Sequence, residues 1–381
     1  MEKEILLSIV IPTKDRSQYL KYFVEYIDTF ATEELELIIQ DNSEDNSEIE
    51  LFLQNNSFKF LKYYHDATPM PIIDNSDLAI KHAKGKYICY MGDDDFISSY
   101  ILCFVKKMDM DGIEAAVFNR ASFNWPGVTY VKHKLKNLRI PKLDNSIKYL
   151  NVKTILNHCM HIGASRIENM PRVYHGIIKK ECMDKVFEKA GTYFPGPSPD
   201  MANAIALCSV VKKHVYYGIP IVSSGTCPKS AGGLGAKHEH VGELRGKSFL
   251  PKDIEQRWDV KLPKVWTGET IYAQSAIEAM KALDMTEELK KFNYIYVYAA
   301  FRSFHGNLKE MINHKFNSID RAKYGKYILE IFWLRVKSYI GNMFESKLGV
   351  SRGSVYDNVK NSKIAAQIVD DSIEAQKLKI I

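Results

Sequence analysis

The chain has 381 residues, of which 46% are hydrophobic and 26% charged, and its formal net charge at pH 7 is +6. This length allows one large core or two domains, and the modest charge, with no nucleic-acid-binding motif, argues against a nucleic acid partner. No apolar run approaches the ~20 residues that span a bilayer, and the N-terminus does not resemble a signal peptide. The six cysteines show no Cys-x-x-Cys spacing, which predicts reduced thiols in a cytoplasmic protein.

The first 91 residues alternate between short apolar runs and amphipathic stretches. Apolar runs at 6–11, 35–39, 58–64 and 87–91 predict four strands, and helical spacing of apolar residues between them predicts three helices. Such alternation is typical of a doubly wound α/β sheet. We therefore expect an α/β, Rossmann-like domain in the N-terminal part of the chain.

Polar residues follow three of these predicted strands. Thr-Lys-Asp-Arg at 13–16 follows the first strand, Asp41 follows the second, and Asp93, Asp94 and Asp95 follow the fourth. Ligands bind at the carboxyl ends of the strands in open α/β sheets, and a cation such as Mg²⁺ or Mn²⁺ relieves the repulsion among adjacent carboxylates. The alternatives are a solvated acidic turn for 93–95 and a simple Asx-turn at Asp41. The glycine-rich dinucleotide and P-loop motifs do not occur.

The middle of the chain has a mixed pattern. Strands are predicted at 115–118, 128–131 and 174–178, and a helix at 148–158. A Gly- and Pro-rich loop at 191–200 leads into a helical pattern at 201–211. A long segment at 223–251 contains six glycines and is typical of a functional lid or of disorder. From residue 269 onward the pattern is helical almost to the end, so we place a boundary near residue 260.

Four segments, taken together, resemble the family-2 glycosyltransferases of GT-A fold. They are Val-Ile-Pro-Thr-Lys-Asp-Arg at 10–16, Ile-Ile-Gln-Asp-Asn-Ser at 38–43, Ala-Lys-Gly-Lys-Tyr-Ile at 83–88 and Gly-Asp-Asp-Asp at 92–95. The likeness covers about the first 100 residues and extends more weakly to about residue 210. The resemblance implies transfer of a hexosyl or N-acetylhexosaminyl group from a nucleotide diphosphate sugar, with inversion at the anomeric carbon.

The resemblance also implies roles for individual residues around the donor. The segment with Pro12, Thr13, Asp15 and Arg16 would hold the nucleotide, and Asp41 would accept a hydrogen bond from its base, most often uracil. Asp93, Asp94 and Asp95 would hold Mn²⁺ or Mg²⁺ on the diphosphate and touch the ribose. The chain departs from the family pattern at Gly92, where an acid is common, so Asp93 is expected at the ribose and Asp94 or Asp95 at the metal. It departs again at Asp77, where Asn is common in the donor pocket.

Catalysis needs a carboxylate that accepts the proton of the acceptor hydroxyl. Pro-Ser-Pro-Asp at 197–200 fits the loop that supplies this base in the family, which makes Asp200 the candidate, and the alternative for Asp200 is a helix N-cap. His175 is a second candidate that could face the acceptor. In the 223–251 segment, Lys237 and Arg245 could close on the diphosphate and His238 could complete the metal shell, although an exposed loop histidine is most often without function.

The domain organisation that we expect is a GT-A domain at 1–225, a flexible Gly-rich loop over the active site at 226–260, and a mainly helical region at 261–381. Residues 321–352 contain seven Lys or Arg against two Glu, interleaved with aromatic residues. A basic aromatic helix can lie on the inner face of an anionic membrane. Packing within the protein or a homo-oligomer interface are the alternatives.

The sequence therefore predicts a cytoplasmic, metal-dependent, inverting glycosyltransferase of bacterial cell-surface polysaccharide synthesis, with a glycan or lipid-linked acceptor. One rival is a nucleotidyltransferase, which usually needs a Gly-rich loop after the first strand, whereas 13–16 has no glycine. Another rival is a catalytically inactive glycosyltransferase-like subunit that binds carbohydrate. The intact acids Asp93, Asp94, Asp95 and Asp200 argue against an inactive subunit.

Overall fold

The computed structural model describes residues 4–128, 137–230, 241–247, 249–313, 320–348 and 353–376. The strands are β1 Leu7–Thr13, β2 Leu35–Asp41, β3 Leu61–His65, β4 Tyr87–Tyr90, β5 Phe96–Ile97, β6 Ala115–Phe118, β7 Ser122–Asn124, β8 Leu138–Pro141, β9 Ile147–Leu150, β10 Gly176–Lys179, β11 His214–Tyr217, β12 Val222–Thr226 and β13 Gly353–Tyr356. The helices are α1 Ser17–Ile27, α2 Ser47–Gln54, α3 Ile72–Lys81, α4 Ile101–Met110, α5 Val152–His161, α6 Lys180–Ala190, α7 Pro199–Leu207, α8 Ile254–Arg257, α9 Gly268–Ala282, α10 Thr286–Lys290, α11 Tyr294–Phe304, α12 Glu310–Asn313, α13 Arg321–Leu348 and α14 Ser362–Ala375, with a 3₁₀ turn at Gly306–Leu308.

An eight-stranded sheet contains the four predicted N-terminal strands as a parallel unit. Its order is β3-β2-β1-β4-β10-β6-β11-β9, in which β1 pairs in parallel with β2 and β4, and β2 with β3. Strand β10 runs antiparallel between β4 and β6. The expected α/β fold class is therefore confirmed.

Alternate residues of the central strands face two separate hydrophobic cores. Ile9 and Ile11 belong to the core that contains α1 and α4, whereas Val10 belongs to the core that contains α3, α7 and α9. Helices thus cover both faces of the sheet. This arrangement explains why β1 and β2 are continuous apolar runs rather than alternating ones.

A five-stranded sheet, ordered β13-β8-β7-β12-β5, brings the C-terminal part of the chain back to the N-terminal part. Helix α14 packs on α1 and contributes the buried Asp370. The carboxylate of Asp370 accepts hydrogen bonds from the hydroxyl of Tyr26, from Ser98 Oγ at 2.6 Å, and from Ser99 N and Oγ at 3.0 and 2.5 Å. Because Ser98 and Ser99 directly follow β5, these hydrogen bonds hold α14 close to the 93–95 segment.

The helical region beyond residue 260 forms one wall of the second core and carries α13 at its outer side. Tyr327 and Ile331 of α13 pack on Tyr296, Ala299 and Ala300 of α11. No helix within the described ranges is long and apolar enough to cross a membrane.

Several predicted elements differ from the structure. The predicted helix at 148–158 was wrong in its first four residues, because 147–150 pairs with β11 as an edge strand and α5 begins only at Val152. The predicted helix at 201–211 starts two residues earlier and ends at 207. The C-terminal region also contains a strand, β13, which the helical pattern did not indicate. The predicted strand at 128–131 lies almost entirely outside the described residues.

Part of the predicted loop at 226–260 is packed against the rest of the protein. Leu244, Leu250, Ile254 and Trp258 are buried in the core that contains α7 and α9. These contacts do not support a freely flexible loop over 244–260. The division of the chain at 225 and 260 stays a prediction.

Candidate active site

The strand order places a polar cluster at the point where the sheet reverses direction. Strand β1 has β2 on one side and β4 on the other, and open α/β sheets bind ligands at this switch point, beyond the carboxyl ends of the strands. Thr13 ends β1, Asp41 ends β2, and Asp93 follows β4. The structure therefore brings together the three polar segments that the sequence placed at one edge.

Asp93 is a fully buried carboxylate with one satisfied oxygen and one free oxygen. Its Oδ2 accepts a 2.5 Å hydrogen bond from Thr13 Oγ1 and lies 3.0 Å from Arg16 Nε. Its Oδ1 has no hydrogen-bond partner among the described residues. Burial raises the pKa of Asp93 well above the ordinary range, and the charge of Asp94 adds to this, whereas Arg16 opposes it. Burial by itself would lower the pKa of Arg16, but the charges of Asp93 and Asp94 raise it.

Asp94 and Asp95 are held by the end of β12 and by the residue that follows it. The amide of Cys227 donates to Asp94 Oδ2 at 2.8 Å, and the amide of Gly225 donates to Asp95 Oδ1 at 2.7 Å. A Cβ atom on Gly225 would lie 1.6 Å from the carbonyl oxygen of Asp94. Only glycine therefore allows this approach of the two backbones.

The two oxygens of Asp95 are both used by the protein. In addition to the Gly225 amide at Oδ1, Oδ2 accepts 2.7 Å hydrogen bonds from the Gly92 amide and from His175 Nε2. The geometry therefore does not support the predicted metal-ligand role of Asp95, and indicates that Asp95 orients the segment instead. Asp93 and Asp94 remain the candidate ligands.

Asp93 and Asp94 fit a divalent cation that is also bound by a substrate phosphate. Within the described ranges, no group of three or more His, Cys, Asp or Glu side chains is arranged to hold a metal by itself. Mg²⁺ is usually held by one or two carboxylates together with substrate phosphates. The unpartnered Oδ1 of Asp93, next to Asp94, meets this requirement.

His175 joins two parts of the site and is not available as a base. Its backbone has a φ of +57°, just before β10. Nε2 donates to Asp95, so Nδ1 is the acceptor of the 2.6 Å hydrogen bond from Arg120 Nη1. Both ring nitrogens are thus engaged within the protein. The predicted catalytic role of His175 is not supported, because neither nitrogen is left to accept a proton.

Asp41 forms an Asx-turn, which is its alternative role, but its side chain can still accept a further hydrogen bond. Oδ1 accepts from Ser43 N and Oγ at 2.8 and 2.5 Å, and among the described residues Oδ2 accepts only from Tyr63 OH, at 2.9 Å. A carboxylate oxygen has two acceptor positions, so Oδ2 can still accept from a base. Ser43 Oγ in turn accepts from the amide of Asp15, whose φ is +56°. Pro12 pairs with Gln40 between β1 and β2.

Asp77 contacts a different part of the molecule from the one predicted. Its Oδ1 accepts a 2.9 Å hydrogen bond from the amide of Tyr193, and burial raises its pKa. The residue of α3 that reaches the end of β1 is Asn75, whose Nδ2 lies 3.4 Å from the carbonyl of Thr13. Asn75 Oδ1 is buried without a partner among the described residues. Asn75 is therefore the better candidate for a donor contact.

Asp200, the candidate base, lies inside the first turn of α7. The N-cap position belongs to Ser198, so the capping alternative for Asp200 does not apply. Ser198 Oγ donates to Asp200 Oδ1 at 2.5 Å, and Tyr272 OH of α9 donates to Oδ2 at 2.7 Å. Burial and then the charge of Asp200 raise the pKa of Tyr272. Both oxygens are thereby oriented while Asp200 stays partly exposed.

Two arginines that the sequence reasoning did not select lie in the same region. Arg120 follows β6 and Arg172 precedes β10. Arg120 could have been found, because it comes directly after a predicted strand. Of the predicted loop residues, Arg245 is exposed and makes no described contact with the site, whereas Lys237 and His238 lie outside the described residues.

Residues 8–167 match the family model described as Glycosyl transferase family 2. Among solved structures, S. aureus TarS 1–349 in complex with UDP-GlcNAc has a TM-score of 0.47 and 13% identity, covering 81% of this chain and 89% of that chain. Another crystal structure of S. aureus TarS has a TM-score of 0.43 and 13% identity, over 59% of this chain and only 37% of that one. GalNAc-T7 with UDP, GalNAc and Mn²⁺ has a TM-score of 0.40 and 14% identity, over 60% and 44%.

A search of curated proteins gives no match. The likeness to the solved structures is too low to carry functional detail, and the chain spans 37% of the first TarS structure that it matches. The family match, in contrast, includes every strand end that builds the 13–16, 41 and 93–95 cluster. Residues 8–167 are therefore similar to glycosyl transferase family 2, and the α/β sheet that they contribute to agrees with the expected GT-A fold class.

Proposed function

We propose that the protein is an inverting glycosyltransferase that moves a hexose or N-acetylhexosamine from a UDP-linked donor to a glycan or lipid-linked hydroxyl in bacterial cell-surface polysaccharide synthesis. One observation supports the proposal: a fully buried carboxylate, Asp93, and a partly exposed one, Asp200, lie in the same part of the molecule. Burial raises the pKa of the Tyr90 phenol, and the charges of both Asp200 and Asp93 act on the same group in that direction. Asp93 and Asp200 therefore both lie close enough to Tyr90 for their charges to act on it.

The donor half of the site consists of the cluster around Asp93. Arg16 and the backbone of 13–16 face the nucleotide, and Asp41 Oδ2 accepts from the base. Asp93 Oδ1 is the free oxygen for a ribose hydroxyl or a cation, and Asp94 is the second ligand. A divalent cation, when bound by Asp93 and Asp94, would neutralise charge on the leaving diphosphate. Mn²⁺ and Mg²⁺ both suit this carboxylate set.

The acceptor half consists of Asp200 and the groups that orient it. Asp200 removes the proton from the acceptor hydroxyl as the new glycosidic bond forms. Its two oxygens are fixed by Ser198 and Tyr272, and Ser198 is itself held by a 2.8 Å hydrogen bond between its amide and Ser275 Oγ. Helix α9 thus sets the direction in which the base points.

The donor half is tested by thermal unfolding with UDP, in the presence of Mn²⁺ or of EDTA. We expect UDP to raise the melting temperature far more with Mn²⁺, and Asp94→Ala to abolish the difference. Asp28→Ala removes an exposed acid at the opposite end of α1 and is the matched control. An unchanged Mn²⁺ response in both Asp93→Ala and Asp94→Ala would refute the metal assignment.

The acceptor half is tested with Asp200→Asn, which keeps the size and the hydrogen-bonding shape but removes the proton acceptor. We expect turnover of the preferred donor, chosen from a panel of UDP-sugars, to fall by roughly 10²–10⁴. UDP binding should stay nearly unchanged. Retention of more than about a tenth of the rate, against the usual general-base effect, would show that another residue is the base.

A peripheral membrane role of α13 is supported by its exposed face. Tyr327 and Ile331 face α11, whereas a second set of apolar side chains on the same helix is exposed: Leu329, Phe332, Trp333, Tyr339 and Ile340. Lys323, Lys326 and Lys337 are exposed on this helix as well. The combination favours an anionic bilayer at the inner face of the cell membrane as the occupant. Such contact would bring the site to a lipid-linked acceptor.

A further inference from the structure

The candidate site contains more positive charge than its donor half requires. Arg172 is only 6% exposed, and its Nη1 donates to the carbonyl oxygen of Glu168. Within the described ranges this is its single hydrogen bond, and neither Arg172 nor Arg120 has a carboxylate at salt-bridge distance. A buried guanidinium has five N–H donors and is unfavourable without a counter-charge.

The two arginines are neighbours of each other and of the candidate base. Burial, followed by the positive charge of Arg120, lowers the pKa of Arg172 to about 10, whereas Asp200 and Tyr272 act in the opposite direction. Arg120 also contacts His175, which leads to Asp95. Arg120 therefore lies between the two halves of the site, and Arg172 lies on the side of Asp200.

Asp200 does not satisfy these arginines as an ion-pair partner. Its oxygens accept hydrogen bonds from Ser198 and Tyr272, and a base must be free to take a proton. Two guanidinium groups therefore lie near one carboxylate, Asp200, whose role is to accept a proton. A bound anion would remove this imbalance, and arginine pairs favour phosphate and carboxylate groups, which they bind in bidentate geometry.

We propose that Arg120 and Arg172 form a subsite for an anionic group of the acceptor, a phosphate or a carboxylate, placed beside the hydroxyl that Asp200 activates. This inference rests on the proposed function and names the class of its acceptor: a phosphorylated polyol or sugar, or an acidic sugar, rather than a neutral glycan. The diphosphate of the donor is the competing source of the same chemistry. The proposed function assigns this diphosphate to Asp93, Asp94 and Arg16, whereas Arg172 lies near Asp200.

The experiment measures binding of simple anions while the donor half is filled. Wild-type protein is saturated with UDP and Mn²⁺ and titrated, at constant ionic strength, with inorganic phosphate and with glycerol 3-phosphate. Glycerol serves as the neutral counterpart. We expect both phosphates to bind and glycerol not to bind. Arg172→Gln and Arg120→Lys should weaken phosphate binding by about ten- to hundredfold, the usual effect of a charge-assisted hydrogen bond.

Arg166→Gln is the matched control, because Arg166 lies in the same connection but is half exposed and pairs with Glu168. It should bind phosphate as wild type does. Arg120→Lys keeps a donor for His175, so the inference remains testable if Arg172→Gln does not fold. UDP affinity with Mn²⁺ is measured for every variant to separate the two sources of phosphate.

Four results would overturn the inference. The subsite is excluded if phosphate binds the UDP-loaded wild type no better than glycerol does. It is also excluded if both arginine variants bind phosphate as well as the wild type. A loss of UDP binding in the variants, in place of a loss of phosphate binding, assigns the arginines to the donor. If the wild type binds no UDP with Mn²⁺, the proposed function fails and this inference fails with it, whereas UDP binding without a phosphate effect refutes the inference alone.

Discussion

The Nε2 atom of His175 donates a 2.7 Å hydrogen bond to Oδ2 of Asp95, and both side chains are buried. The same ring accepts from Arg120 through Nδ1. This single imidazole therefore connects the start of β10 with the acidic segment after β4. Asp95 keeps its orientation because His175, Gly92 and Gly225 all donate to it, which leaves Asp93 and Asp94 for ligands.

Replacing His175 should affect donor binding more than the chemical step. His175→Asn tolerates the positive φ but loses at least one of the two hydrogen bonds. We expect the KM for the donor to rise about tenfold, the effect of one lost buried hydrogen bond, with a smaller change in kcat. His158→Asn, at an exposed position of α5, is the control. A fall in kcat by two or more orders of magnitude with unchanged UDP binding would restore His175 as a candidate base.

Gly225 should not tolerate even the smallest side chain. A Cβ atom there would lie 1.6 Å from the carbonyl oxygen of Asp94, so Gly225→Ala must move β12 away from the acidic segment. We expect a loss of about 1–3 kcal/mol in the free energy of unfolding, together with weaker UDP binding. Gly325→Ala in α13, where no atom lies within 4 Å, should instead be neutral or stabilise by up to about 1 kcal/mol. Urea unfolding and calorimetry measure both effects, and equal behaviour of the two variants would contradict the assigned contact.

Asp370 should stabilise the fold through the residues that follow β5. Asp370→Ala leaves the hydroxyls of Tyr26, Ser98 and Ser99 without their buried acceptor. We expect the free energy of unfolding to fall by at least about 2 kcal/mol, because unsatisfied buried donors are costly. Asp371→Ala, at the exposed neighbouring position, should change it by less than about 0.5 kcal/mol. Similar values for the two variants in urea unfolding would show that the Asp370 contacts contribute little.

The membrane proposal for α13 is tested by substitution rather than by truncation. A chain that ends at Asp320 would also lose β13, which pairs with β8, and α14, which packs on α1. In the full chain, Lys323, Lys326 and Lys337 are changed to Gln. Each lysine near an anionic surface contributes about 1 kcal/mol, so binding to anionic liposomes should weaken roughly a hundredfold.

The control for this test changes three exposed lysines elsewhere, Lys59, Lys189 and Lys252. Liposome sedimentation at low and high salt gives the binding, and the effect should shrink as salt screens the charges. Equal binding by the α13 variant and the control would exclude the membrane role. A dimer that Trp333→Ser converts to a monomer would assign the exposed face to self-association.

The donor half of the site could be predicted because it follows one simple rule. Thr13, Asp41 and Asp93 come directly after apolar runs, and the ends of parallel strands meet at one edge. The acceptor half does not follow this rule. Arg172 precedes an antiparallel strand, whose direction a single sequence does not reveal, and Tyr272 belongs to a helix that starts more than 60 residues after Asp200.

Asp77 shows why motif spacing misled the prediction. The family spacing pointed to residue 77, but α3 begins at Ile72, so residues 75 and 77 differ by about 200° around the helix axis. Asn75 therefore faces β1 while Asp77 faces Tyr193. The structural role of Asp370 was equally hidden, since its partners lie some 270 to 345 residues earlier in the chain.

Strand β13 has a consequence for the order in which the protein can be assembled. It pairs with β8 in the sheet whose strand β12 leads to the residues that hold Asp94 and Asp95. During synthesis the N-terminal strands leave the ribosome first, but their acidic segment lacks its supports until Gly225 and Cys227, and then α14, have followed. A nascent chain that stops before residue 353 would expose the edge of β8 and leave Ser98 and Ser99 without Asp370, and exposed strand edges are features of aggregation-prone intermediates. Activity should therefore appear only after the last helix has docked, and not gradually as the chain grows.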